Sequence, residues 1–108
     1  MAIHLKKDNL IIDENIGLVR KGVKLESGTY KRGSAIGLVG GKYKLIGEES
    51  YTVDTIDGIL ADDITVTENE KATLYLTGQF NSKEIVLKEG TQVEDLVAPA
   101  RKVGIFIL

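Results

Sequence analysis

The sequence predicts a mainly β, small single domain with one C-terminal helix and an extended N-terminal arm. The clearest sign is strict alternation of apolar and polar residues from Ala72 to Asn81, which is typical of a strand with one buried and one solvated face. Twelve glycines separate several short apolar runs, as expected for strands joined by tight corners. Helical spacing of apolar residues occurs in a single stretch near the C-terminus.

Length, charge and cysteine content already disfavour several classes of function. A chain of 108 residues can bury one modest core, and its charged fraction of 28% is ordinary for a soluble domain. The net charge of -2 disfavours nucleic-acid binding, and the absence of cysteine excludes disulfides and thiolate metal sites. No apolar run approaches the ~20 residues of a membrane helix. We therefore expect no nucleic acid, no membrane and no cofactor among its partners.

Residues 1–15 form the predicted flexible arm, and residues 16–108 form the predicted β-rich domain. In the arm, short apolar runs are interrupted by charged residues at 6–8 and 13–14, which prevents a continuous buried element. Such a segment is either frayed or able to add a strand to a partner. The apolar residues that would make those contacts are Ile3, Leu5, Leu10, Ile11 and Ile12.

Strands are predicted in order along the domain. The first covers 16–25, and a turn at 26–28 follows it. Residues 35–39 and 42–46 form a hairpin, because Gly40 and Gly41 tolerate the positive φ of a two-residue turn. The apolar run 58–61 must leave the core at Asp62 and Asp63, since adjacent carboxylates are costly to bury. Short strands are also expected at 64–67 and 84–87.

The helix is predicted over about 92–103. Thr91 and Glu94 have the spacing of a capping box, and Pro99 is expected to kink or break the helix near Ala98. Gly104 ends it. The apolar face consists of Val93, Leu96, Val97 and Ala100.

Residues 105–108 are apolar throughout, which indicates a buried strand or an interface. Tyr75 lies on the predicted polar face of its strand, where it either anchors an interface or covers the sheet. The interface candidates are Tyr75, Ile105, Phe106 and Ile107.

Residues suited to catalysis are sparse, so we expect that the protein is not an enzyme. The single histidine, His4, has no local neighbour to fix its tautomer. Gly33, Gly37, Gly40 and Gly41 do not lie between a strand and a helix N-terminus as a phosphate loop requires. The densest carboxylate group does not match the spacing of a calcium loop; it comprises Asp54, Asp57, Asp62 and Asp63.

Several segments together resemble the head decoration proteins of tailed phages, the lambda head decoration protein D-like family. The opening residues 25–28 and 31–37 are similar to that family's "L-x-S-G … x-R-G-x-x-L-G" pattern. Residues 58–63 resemble its "G-[IV]-L" strand with acidic follow-on, and 77–81 resemble its "x-G-x-[FV]-[NR]" strand end. Residues 104–107 resemble its closing "x-G-I-x-[IL]" pattern. The resemblance runs from about Leu10 to the C-terminus and departs from the family at Pro99.

The resemblance implies a β-clip-like fold and a structural function on the outer surface of the virion. A protein of this family is made in the bacterial host cytoplasm, and it binds the major capsid protein as a homotrimer. The trimers sit at three-fold and quasi-three-fold positions of the expanded head and reinforce it against DNA pressure. The N-terminal arm would become ordered on the major capsid protein.

Two other functions stay open from the sequence alone. A small β-barrel peptide- or sugar-binding module would need Tyr30, Tyr43 and Tyr51 to converge on a concave pocket. A metal-dependent hydrolase would need the four aspartates to face one cavity.

Overall fold

The computed structural model describes residues 10–12, 18–68 and 70–108. It confirms the predicted fold class, a mainly β small domain with a single C-terminal helix in the described part of the chain. The strands are β1 (Val19–Lys24), β2 (Gly28–Tyr30), β3 (Ala35–Val39), β4 (Lys42–Leu45), β5 (Ile56–Leu60), β6 (Ile64–Val66), β7 (Lys71–Phe80) and β8 (Ile105–Ile107), and the helix α1 covers Val93–Lys102. Among these residues, no helix is both long and apolar enough to span a membrane.

One six-stranded sheet forms the body of the molecule. Its order is β1-β7-β5-β3-β4, with β8 added in parallel to the far end of β7, while β2 and β6 form a separate antiparallel pair. Leu25, just after β1, bridges to Tyr43 in β4, and the Glu26 amide donates to the Tyr43 carbonyl at 3.0 Å. The two ends of the strand order therefore meet, so the sheet curls into a barrel-like body.

β7 is the longest strand and packs on both of its faces. Ala72 and Leu74 belong to one buried cluster, whereas Tyr75 and Phe80 belong to a second one that also contains the helix residue Leu96. The prediction that Tyr75 lies on a solvated face is wrong, because only 5% of this residue is exposed. Its ring lies 5.8 Å from that of Phe80 between centroids.

Tyr75 lies on the face of β7 opposite Leu74, as alternation predicts, but the second cluster covers that face. Two irregularities of β7 then bring Phe80 into the same cluster. The register with β1 shifts between Val19 and Arg20, which is a bulge, and Gly78 has a φ of 144°. Both interrupt strict alternation along the strand, so Tyr75 and Phe80 share a cluster despite an odd sequence separation.

The helix confirms its predicted apolar face but not its predicted cap. Leu96 and Ala100 are buried, and Val93 and Val97 pack partly buried against the same cluster. The N-cap residue is Gln92, which makes no capping hydrogen bond through its side chain, so the predicted Thr91 capping box is wrong.

The Thr91 side chain instead packs on the turn at Gly47, where an added Cβ would lie 2.5 Å from its Oγ1. Pro99 lies inside the helix, which extends to Lys102 and is followed by Gly104 with a φ of 90°.

Two of the remaining local predictions are confirmed and one is wrong. The hairpin at Gly40 and Gly41 is confirmed, with φ values of 59° and 82°. Ala61 is buried and the two following aspartates are exposed, so the strand leaves the core where predicted. The strand predicted at 84–87 is wrong: Ser82–Glu84 forms a 3-10 turn, after which Val86 makes one isolated bridge to Ser34.

Candidate interaction surface

Both ends of the described chain lie beside the last residues of β7. The Asn81 amide donates to the Leu10 carbonyl at 2.8 Å, and the Ile12 amide donates to the Gln79 carbonyl at 3.0 Å. On the opposite edge of β7, Gln79 pairs with Phe106 of β8. The end of β7 is thus paired on both edges.

Leu10 differs from its predicted place on a free arm. Only 2% of it is exposed, and it belongs to the cluster that contains Phe80. The physical reason is that β7 extends beyond β1, and residues 10–12 take the edge that β1 leaves open. Ile11 packs partly buried against that cluster, whereas Ile12 is 49% exposed. The predicted arm residues Ile3 and Leu5 lie outside the described residues.

Of the four interface candidates predicted from the sequence, three are buried and only Phe106 is exposed. Ile105 is fully buried and Ile107 is 5% exposed, and both belong to the same core cluster as Tyr75. Their side chains therefore contact this chain's own core. Phe106 points away from that core and is 43% exposed, because neighbouring residues of a strand face opposite sides of a sheet.

Exposed apolar side chains gather around this end of β7 in two adjacent rows. In one row Gln79 lies between Ile12 and Phe106, and in the next Thr77 lies between Val19 and Gly104. Neighbouring strands lie ~4.8 Å apart, so each row brings its flanking residues within about 10 Å across the sheet. We define the terminal patch as Ile12, Val19, Val103, Phe106 and Leu108, each between 43% and 63% exposed.

Val19 and Val103 were missed by sequence reasoning. Val19 looked like part of an ordinary half-buried strand, and Val103 looked like the last turn of a helix. Their common location depends on the pairing of β1 and β8 with the same end of β7, which no local pattern in the sequence specifies.

The aromatic residue Tyr75 sits between two arginines. The Arg20 and Arg32 guanidinium carbons lie 5.2 Å and 5.9 Å from its ring centre, within the range of cation–π attraction. Arg32 also anchors the loop after β5: its amide donates to Asp63 Oδ1 at 2.7 Å, and its Nη1 donates to the Ala61 carbonyl. The arrangement holds β1, β7 and the β5–β6 loop together.

Of the three tyrosines required by a binding module, only Tyr30 lines either of two depressions in the described part of the chain. Tyr30 borders two shallow depressions of about 290 and 270 Å³, and neither is lined by Tyr43 or Tyr51. The Tyr30 hydroxyl donates to the Glu26 carbonyl at 2.8 Å, and the Tyr51 hydroxyl donates to the Lys42 carbonyl at 2.9 Å. Burial raises the pKa of Tyr30, and the nearby Glu26 carboxylate adds to that rise. These hydroxyls are engaged within the fold.

The four aspartates occupy different local settings. Asp54 lies in a 3-10 turn and Asp57 lies on β5, whereas Asp62 and Asp63 follow that strand. Within residues 10–12, 18–68 and 70–108, no group of three or more histidine, cysteine or acidic residues is arranged to hold a metal ion.

No protein-family model matches this chain, and no curated protein matches it.

Proposed function

We propose that this chain is a decoration protein that stabilises the head of a tailed phage. It binds the major capsid protein as a homotrimer at three-fold and quasi-three-fold sites of the expanded capsid, on the outer surface of the virion. The observation that carries the proposal is the terminal patch, in which Ile12, Phe106 and Leu108 remain 49%, 43% and 63% exposed beside one strand end. This observation supports the proposal because contiguous exposed apolar patches on soluble proteins are typical of interaction surfaces.

The mainly β fold with one late helix is in keeping with the sequence resemblance that suggested this function. The tyrosine hydroxyls at Tyr30 and Tyr51 hydrogen-bond to backbone carbonyls, which favours a structural protein over a small-molecule binder. The aspartates also lack a shared metal geometry in the described part of the chain. A structural function is consistent with the hydrogen-bonded sheet and with the exposed apolar residues of the terminal patch.

The mechanism is stabilisation by mass action. A protein that binds only the expanded lattice stabilises it by RT ln(1 + [L]/Kd), about 2.7 kcal/mol per site at a hundredfold excess over Kd. Trimerisation raises the effective concentration of each subunit at its neighbouring capsid subunits. Many such sites together oppose the outward pressure of packaged DNA.

The N-terminal segment adds a second contact. Residues 1–9 precede Leu10, which is fixed in the core beside Asn81. An arm that starts at this fixed point and pairs with a capsid strand would use Ile3 and Leu5 as alternate side-chain anchors. Ordering it costs roughly 1–2 kcal/mol of backbone entropy per residue, so its net contribution to affinity depends on the lattice that receives it.

The test is co-sedimentation with expanded heads that lack their decoration protein, assembled from the major capsid protein of the same phage genome. Three chains are compared: the intact protein, Phe106→Ser in the terminal patch and Leu38→Ser as the matched control. Leu38 is also exposed, at 36%, but it lies on the β3–β4 hairpin, neither strand of which pairs with β7 or β8.

We expect the intact chain to saturate the heads in threes per three-fold site. Phe106→Ser should weaken binding at least about tenfold, because burying a phenylalanine contributes about 1.5–3 kcal/mol. Leu38→Ser should bind like the intact chain. An intact chain that stays in the supernatant would contradict the decoration function, and equal binding of all three chains would contradict the role of the terminal patch.

A chain lacking residues 2–8 tests the arm separately. This deletion leaves Leu10 and its hydrogen bond to Asn81 in place. Weaker binding of the shortened chain supports the arm, and unchanged binding removes the arm from the mechanism while leaving the patch.

A further inference from the structure

A second surface on the molecule is the outer edge of β1. This strand is first in the sheet order and pairs with β7 along one edge over all six residues. Among the described residues, no strand pairs with its other edge from Val19 to Val23; β4 reaches this edge only at its end, where Leu25 bridges to Tyr43. An open edge presents unpaired backbone N–H and C=O groups that can bind another extended chain.

The charge on this edge is all of one sign. Arg20, Lys21 and Lys24 fall within the six residues, and neither β1 nor β7 contains an acidic residue. Lys24 lies directly opposite Lys71 in the register, and both are exposed. Like charges directly opposite each other destabilise a strand pair. Lys24 and Lys71 therefore repel each other beside this edge. The positive charge here is local, because the whole chain has a net charge of -2.

The shape of the edge also suits an incoming strand. Gly22 lies in the middle of β1, and a Cβ built there would meet only the Ala72 carbonyl oxygen, at 3.9 Å. Arg20 and Lys24, at even spacing from Gly22, project to one side of the sheet, and Lys21 projects to the other. An added strand with acidic side chains on both of its faces would meet a cation on each side.

We infer that the β1 edge binds an extended, acid-rich segment of a partner protein by strand addition. Backbone hydrogen bonds would provide affinity, and Arg20, Lys21 and Lys24 would select acidic side chains. A nucleic acid would meet the cations but would leave the edge amides and carbonyls of β1 without strand partners. This inference does not depend on the capsid function, and its three cations lie outside the terminal patch, which shares only Val19 with β1.

The experiment is an NMR titration of the uniformly ¹⁵N-labelled full chain with a model peptide, acetyl-Val-Glu-Glu-Val-Glu-Glu-amide, whose glutamates lie on both faces of an extended strand. A twin peptide with glutamine at each glutamate and a single-stranded thymidine oligonucleotide serve as comparison probes. We expect the acidic peptide to shift the β1 amides and slow their hydrogen exchange, with shifts that diminish in high salt because charge attraction is screened.

Two double variants with reversed charges, one on β1 and one elsewhere, test the role of the β1 cations. Lys21→Glu combined with Lys24→Glu should weaken peptide binding by about tenfold, since each exposed ion pair contributes up to roughly fivefold and reversal adds repulsion. Lys83→Glu combined with Lys102→Glu makes the same change in net charge at exposed residues off this edge and should bind like the unmodified chain. The inference is overturned if the glutamine twin binds equally well, if both double variants behave alike, or if the oligonucleotide alone shifts β1.

Discussion

Two glycine-to-alanine substitutions test how tightly this sheet packs. Gly37 in β3 and Gly22 in β1 both lie outside the left-handed region of φ, so alanine is compatible with the backbone at either residue. At Gly37 an added Cβ would fall too close to Thr55 Oγ1 and 2.8 Å from Ile46 Cδ1. At Gly22 the same atom has open space.

The expected free energies follow from those contacts. Overpacking a core costs typically about 1–3 kcal/mol. Displacing Thr55 also disturbs the hydrogen bond from its Oγ1 to the Thr52 carbonyl at 2.7 Å, which adds about 1 kcal/mol. Both alanines restrict the unfolded chain, which stabilises the protein by about 0.4–1 kcal/mol.

Gly37→Ala should therefore lower the free energy of unfolding by about 1–3 kcal/mol, whereas Gly22→Ala should raise it by about 0.4–1 kcal/mol. Urea denaturation followed by circular dichroism measures both values, with unchanged slopes as the control for two-state behaviour. If Gly37→Ala proves as stable as Gly22→Ala, the close approach of β3 to Thr55 and Ile46 is not a packing constraint.

Three further predictions concern β8, the turn before β7 and the helix. Ile105→Ala should lower the unfolding free energy by about 2–5 kcal/mol because Ile105 is fully buried, while Phe106→Ala should cost less than about 1 kcal/mol; equal losses in urea denaturation would contradict the orientation of β8. Hydrogen bonds from the Glu68 amide and from the Thr67 hydroxyl and amide hold the pKa of Glu70 at about 2. Since that folded pKa lies below the ordinary value of 4.5, the stabilisation is complete above about pH 5 and is lost as pH falls toward 2, and a carbon-13 NMR titration of Glu70 with a midpoint near 4.5 would contradict it. Pro99→Ala should raise the thermal midpoint, because alanine restores a helix amide and proline costs up to about 3 kcal/mol in a helix interior; a lower midpoint would show that the proline ring contributes more by packing.

Sequence patterns predicted the elements whose signal is local. The hairpin at Gly40 and Gly41 needs only two residues that tolerate positive φ, and the apolar face of α1 needs only helical spacing. The exit of the chain at Asp62 follows from the cost of burying adjacent carboxylates. Each of these depends on neighbours within a few residues.

The errors arose where distant segments determine the environment. Tyr75 was assigned to a solvated face because the side of β7 opposite Leu74 was taken to be exposed, whereas a second core cluster that includes the helix residue Leu96 covers it. Leu10 was assigned to a free arm because charged residues interrupt the apolar runs on both sides of it, whereas its partners Phe80 and Asn81 come 70 and 71 residues later. The exposed rows of the terminal patch follow from the same long-range pairing.

The position of β7 in the sheet also determines when the fold can be completed during synthesis. Its partners are residues 10–12, β1, β5 and β8, which are drawn from nearly the whole length of the described chain. Its last residues remain without their β8 neighbours until Ile107 has been made. Until then the apolar side of that strand end is open to other nascent chains, and closing such distant pairs is slow. Translation of the final strand therefore sets the earliest moment at which this protein can become fully native.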